Sequence, residues 1–224
     1  MKYLFFLTII CSSVFSCSDD DNNTGFSNGE LSPVVTFTQN NRHLEISNAN
    51  SGLWTSARAL NEQGDEMQEK TSKGFGSVID SNGNGHHQVT ILISKWVSDD
   101  EIDYIIPNIF IAVIKPETFK SIFTTGKRLY ARNGNPINTT NEVLIEYFDE
   151  NATRWSSSYQ GNYYSTPSYG ELQPSSNFTI TRSMLIGTDS IFVEARFKVR
   201  LYKNETEYFV VNDGYFKGWF YRKP

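Results

Sequence analysis

Residues 191–202 impose the tightest constraint on the fold. Alternate positions read Ile191, Val193, Ala195, Phe197, Val199 and Leu201, and the positions between read Phe192, Glu194, Arg196, Lys198, Arg200 and Tyr202. A period of two places the first set on one face of an extended strand and the mostly charged set on the other. A helix would scatter the same charges around its circumference. This stretch is therefore a strand with one face on a core.

Further strand signals, separated by turn residues, recur along the chain at the spacing of a sandwich or barrel. They fall at residues 34–38, 43–47, 53–60, 75–79, 89–96, 109–114, 143–148, 159–164 and 178–181, with closing strands at 208–211 and 215–221. Asn212-Asp213-Gly214 reads as a turn or bulge between the last two. One short helix is predicted from Pro116, with Phe119, Ile122 and Phe123 on one face and Gly126 ending it. The expected fold is all-β: a single antiparallel β-sandwich, with a barrel as the alternative and at most one short helix. The only cysteines are Cys11 and Cys17, so burial, supplied by 16 Phe, 12 Tyr and 4 Trp, has to hold the domain without a disulfide.

The N-terminus carries a different message. Lys2 and the apolar run that follows it lead into small and polar residues, the layout of a secretory signal peptide. That run is shorter than the ~20 residues a membrane-spanning helix needs. Val14-Phe15-Ser16-Cys17 resembles the bacterial lipobox, in which a small residue precedes the cysteine that receives diacylglycerol and palmitate. Phe15 departs from the small residue usual at that position. Ser18-Asp19-Asp20-Asp21 resembles the acidic tag that sends lipoproteins of Bacteroidetes-type bacteria to the outer face of the outer membrane. The expected organisation is a signal peptide at 1–16, a lipidated Cys17 with an acidic tether at 17–32, and one β domain at 33–224.

The closing pattern adds a second resemblance. Phe197, Leu201 and Tyr202, followed by Asp213, Gly214 and Phe216, resemble the C-terminal end of uncharacterised lipoproteins of Bacteroidetes-type bacteria. The resemblance implies a β-sandwich and an outer-membrane address, and it transfers no catalytic residue.

The chemistry-bearing candidates are few. Asp80, Asn82, Asn84 and Gly85 match the start of an EF-hand-type calcium loop, but Ile91 stands where the bidentate Glu is required, so a polar hairpin loop is the better reading. His86 and His87 are adjacent and point to opposite faces of an extended chain, and His43 is distant. Nothing in the sequence pairs Glu146 or Glu171 with a second carboxylate across a sugar. Residues 62–69 and 99–103 read as solvated acidic loops. No nucleophile elbow, P-loop or dinucleotide fingerprint is present, so the expected protein is not an enzyme and uses no cofactor. With Lys+Arg 20 against Asp+Glu 25, the charge balance argues against nucleic acid as a partner.

Residues 155–172 are the most suggestive segment. Trp155, Tyr159, Tyr163, Tyr164 and Tyr169 lie among Ser, Gly, Asn and Gln, the composition of a recognition surface. The competing reading is a pair of ordinary strands whose tyrosines pack over the sheet. Asp189-Ser190-Ile191 resembles the site at which exported proteins of such bacteria are O-glycosylated, with Ser190 as acceptor. The expected partners are the bilayer, through the Cys17 lipid, and a glycan or envelope protein bound by the domain. The alternative is a structural or accessory lipoprotein with no ligand of its own.

Overall fold

The computed structural model describes residues 30–47, 70–80, 87–106, 111–131, 142–158, 173–204 and 206–222. The predicted strands at 53–60 and 159–164 lie outside them. Strands β1 (Val34–Gln39) and β2 (Arg42–Ser47) form a hairpin. Its turn residues, Asn40 and Asn41, have φ of 50° and 63°. Two successive left-handed residues match the twist of the flanking strands, and asparagine tolerates that region better than most side chains. Strands β3 (Lys70–Asp80) and β4 (Gln88–Ser98) pair without a register break from Lys70 opposite Ser98 to Asp80 opposite Gln88.

A 3-10 turn at Asp99–Glu101 leads into a two-stranded sheet of β5 (Ile102–Ile106) and β6 (Ile111–Ile114). The predicted helix is α1 (Pro116–Ile122), with Pro at its start and Thr118, Phe119 and Ile122 buried. Then follow β7 (Gly126–Tyr130), β8 (Glu142–Phe148), β9 (Arg154–Ser156), β10 (Asn177–Ile186), β11 (Ser190–Tyr202) and β12 (Tyr208–Tyr221). Residues 208–211 and 215–221, expected as one or two closing strands joined by a turn or bulge, are one strand with an irregularity opposite Phe197 and Val199.

The large sheet runs β2-β1-β12-β11-β10-β7-β8-β4-β3, and β9 pairs with both β11 and β8. Among the described residues the fold is all-β with one short helix, but not purely antiparallel. Strands β7 and β8 run parallel, with Leu129 opposite Glu142 and Tyr130 opposite Val143. Parallel neighbours need a connection of about a dozen residues or more, and residues 131–141 separate the two strands in sequence. Alternation in a sequence marks a strand and carries no direction, so this pair was not legible. Residues 99–103 also differ from a simple acidic loop, because Asp103 lies within β5.

One core gathers side chains from nearly every strand. Ile191, Val193, Ala195, Phe197, Val199 and Leu201 are all buried, as their alternation requires. The Phe197 ring occupies the space above Gly214, where a Cβ would lie 2.2 Å from ring carbon Cε2. A Cβ at Gly218 would likewise meet Ser77 Oγ at 2.7 Å, so glycine there lets β3 lie close against β12. At the α1 end, Phe119, Phe123 and Phe220 pack in sequence, with ring centroids 5.2 and 4.6 Å apart.

The outer face of β11 is not uniformly polar. Phe192 is buried under Trp219, 5.1 Å between centroids, and the indole N–H of Trp219 donates to the Leu31 carbonyl at 3.2 Å. The segment preceding β1 thus covers one apolar pair that strand periodicity placed toward solvent. Beyond β12, the buried Arg222 donates to Asp189 at 2.6 Å, to Asp103 at 2.9 Å and to the Ile114 carbonyl at 2.8 Å. It thereby ties the small sheet and the β10–β11 turn to the end of β12.

Replacement of Phe197 by Ala is expected to cost ~3–5 kcal/mol, since a large ring leaves a cavity over a glycine that cannot fill it. Lys198→Ala, on the other face, is expected to stay within ~0.5 kcal/mol. Urea denaturation of both variants checks this, and equal losses would contradict the assignment of faces.

Candidate binding site

The β1–β2 turn and the loop after β8 enclose a cleft of about 250 Å³ lined by Gln39, Asn40, Arg42, Leu44, Asp149 and Glu150. A polar chain runs beside it. Glu150 Oε2 lies 3.3 Å from His87 Nε2, and His87 Nδ1 lies 2.7 Å from the Tyr147 hydroxyl. Gln39 Oε1 is 3.4 Å from that hydroxyl.

This carboxylate–imidazole–hydroxyl order invites a catalytic reading, and the geometry opposes it. Tyr147 is 0% exposed, so no substrate reaches its oxygen. Burial, reinforced by the nearby Asp149 and Glu150 charges, pushes its pKa well above the ordinary value of 10.0. The hydroxyl stays protonated at neutral pH and serves as a donor within the wall.

Asp149 organises the loop that follows. Its Oδ1 accepts from the backbone N–H groups of Asn151 and Thr153, at 3.0 and 2.9 Å, and its Oδ2 accepts from the Trp155 indole at 3.0 Å. Burial raises its pKa, but the bonds from Trp155, Thr153 and Asn151 outweigh that and hold the carboxyl below its ordinary 3.8. Trp155 is half-buried, with its ring 5.1 Å from Phe209 and the Lys203 ammonium 5.9 Å from its centroid.

Tyr159, Tyr163, Tyr164 and Tyr169, the other aromatics of the proposed recognition segment, lie outside the described residues. The residues next to those tyrosines in sequence, up to 158 and from 173 onward, are described and firmly held. Ser157 Oγ takes the Ile145 N–H at 2.9 Å, while the Ser157 N–H reaches the Ile145 carbonyl at 2.8 Å. The buried Gln173 amide donates to the carbonyls of Ser157 and Arg200, at 2.6 and 2.7 Å, and accepts from the Arg200 N–H at 2.9 Å. One side chain thus completes backbone pairing that a further strand residue would otherwise provide. Beside this anchor the Arg200 guanidinium sits 4.3 Å from the Tyr208 ring centroid and donates to the Tyr202 hydroxyl at 3.3 Å.

The remaining sequence candidates are dispersed. Asp80 closes the β3–β4 ladder opposite Gln88, while Asn82, Asn84 and His86 lie outside the described residues. Ser190 is half-buried at the start of β11, and the preceding Asp189 is held by Arg222. Glu146 is paired with Arg154, and His43 sits on exposed β2 near Asp213. Cys17 and Glu171 fall outside the described residues. Among the described residues no group of three His, Cys, Asp or Glu side chains is placed to hold a metal ion.

Sequence reasoning missed the cleft, because its lining comes from two distant stretches, Gln39 to Leu44 and Asp149 with Glu150, that share no motif. The one available signal was the run Tyr147-Phe148-Asp149-Glu150, in which acidic residues end a strand. No protein-family model matches the chain, and searches of curated proteins and of solved structures return no match.

Because its folded pKa is lowered, Asp149 contributes stability that is present above 3.8 and lost as pH falls through the folded value. Asp149→Asn should cost roughly 1 kcal/mol at about pH 7, with solvent screening taken into account, and the gap to wild type should close as the pH falls through the folded value. Paired urea melts check this, and a gap independent of pH would contradict it.

Proposed function

We propose that this chain is an exported lipoprotein, cleaved before Cys17 and held in the outer membrane by the lipid on that cysteine. The acidic Ser18–Asp21 stretch directs it to the cell exterior. There its β domain serves as a non-enzymatic binding module for a glycan or a protein. The observation that carries the binding reading is that the residues flanking the aromatic segment are held: Ser157 is bonded to Ile145 of β8, and Gln173 to Ser157 and to Arg200 of β11.

The finer architecture we read as a curled, barrel-like sheet rather than two stacked layers. The bridging of β11 and β8 by β9, and the approach of β3 to β12, support that reading. The accessory-protein alternative also has an observation in its favour. Trp155, the largest ring of the segment, is spent on packing against Phe209 and on its bond to Asp149. The tyrosines therefore carry the binding test.

Cys17→Ala should abolish fatty-acid labelling and release the protein from membranes, and replacement of Asp19, Asp20 and Asp21 by Ala should retain the lipid while hiding the domain from protease added to whole cells. Equal labelling of wild type and Cys17→Ala would remove the lipoprotein reading. In a glycan and surface-protein screen, Tyr164→Ala should weaken binding by roughly thirtyfold at unchanged melting temperature, the loss typical of a hot-spot aromatic. Loss of melting temperature with no loss of binding would favour the accessory role.

A further inference from the structure

The outer face of β10, β11 and β12 concentrates positive charge on a chain whose formal net charge is −5. Arg196, Lys198 and Arg200 project from alternate positions of β11, opposite the buried Phe197, Val199 and Leu201. Residues two apart on a strand are about 6.7 Å apart, so the three cations form a row roughly 13 Å long. Lys127 extends the patch across the sheet: Arg196 lies opposite Thr179 on β10, and Thr179 lies opposite Lys127 on β7.

The carboxylates nearby are already engaged. Glu194 accepts from Arg182 at 3.0 Å and from Tyr215 at 3.3 Å. Glu207 is paired with Lys203, and Asp213 is bonded to the Thr38 N–H and hydroxyl. Among the described residues Arg196, Lys198 and Arg200 have no carboxylate partner.

Tyrosines flank the row. The Arg196 guanidinium lies 5.6 Å from the Tyr215 ring centroid, and Arg200 lies 4.3 Å from that of Tyr208. The edge of a guanidinium matches a carboxylate or sulfate in two parallel hydrogen bonds, and at Arg200 only Nη1 is shared with the Tyr202 hydroxyl. Tyr208 is 46% exposed and offers an aromatic face next to the charges.

We propose that this face binds an anionic polysaccharide, its acidic groups meeting Arg196, Lys198 and Arg200 and its sugar rings lying against Tyr208 and Tyr215. Charge complementarity selects a polyanion, and the ordered rings beside oriented guanidinium groups favour a glycan over a lipid surface or a nucleic acid. The proposal rests on the binding-module reading and names its ligand class. It places the contact on the sheet face that carries Arg200, whose backbone is bonded to the Gln173 side chain.

The test uses the full chain in detergent solution, titrated calorimetrically with polygalacturonate and, separately, with neutral dextran, duplex DNA and phosphatidylglycerol vesicles. Polygalacturonate should bind, weaken as salt rises, and lose affinity by roughly tenfold or more in Arg196→Gln/Arg200→Gln. The matched variant Lys115→Gln/Lys120→Gln, with the same change in charge at α1, should bind as wild type, and all proteins should melt at the same temperature. Arg200→Lys should recover only part of the affinity, since an ammonium lacks the fork. Equal weakening by the two double variants would overturn the proposal, as would DNA or vesicles binding as tightly as polygalacturonate through the same arginines. Binding of dextran alone would overturn the anionic assignment while leaving the binding-module reading in place, and binding of none of the four would overturn the assignment of this face.

Discussion

The ring of Phe197 lies over Gly214, in space that any other side chain at position 214 would occupy. That contact aligns β11 with β12, and β12 in turn carries β1 on its far side while β11 carries β10. An irregularity in the pairing falls immediately past it, between Phe197 and Val199. An extra residue in one strand of a pair bends that strand and increases its twist, which suits a sheet that turns back on its own core. Asp213, on the bent stretch, takes over where the β1–β12 ladder ends. Its carboxylate accepts from both the N–H and the hydroxyl of Thr38, at 3.0 and 2.7 Å. The Thr38 hydroxyl bond, above all, holds the Asp213 carboxyl below its ordinary value against a smaller opposing effect of burial.

From this spine the remainder of the molecule is attached by side chains as much as by strands. Gly218 lets β3 approach β12 closely, Arg222 draws in the small sheet through Asp103 and Ile114, and Gln173 fastens the chain to Arg200. Removing a partner from such a buried polar contact leaves the other group unsatisfied, which costs more than the bond contributed. The domain has no disulfide available to it, so these contacts and the aromatic core carry its stability together.

Much of the β-structure was legible because alternation reports burial directly. The predicted boundaries of β1, β8 and β11 fall within one residue of those observed, since each strand has one face on the core. Phe192 escaped that logic because Leu31, distant in sequence, helps to cover it. β7 escaped because its residues Gly126, Lys127, Arg128, Leu129 and Tyr130 bury mainly Tyr130, too little to make a pattern. The motif residues Phe197, Asp213 and Gly214 were visible as a string, but only the fold shows that they meet across two strands. The cleft lining was hidden for the same reason: Gln39, Asn40, Arg42 and Leu44 meet Asp149 and Glu150 only in the folded chain. The basic row was present in the alternation as the polar face of β11, and what the sequence could not show was that its nearest carboxylates are spoken for.

The central physical claim is that the β11–β12 pair is the stable spine of the domain. Native-state hydrogen exchange measures it most directly, because amides of the most stable unit open only with global unfolding. The slowest amides should belong to residues 193–201 of β11 and 214–220 of β12, with those of β5 and β6 exchanging faster through local opening. Exchange in β11 and β12 as fast as in the small sheet would contradict the account.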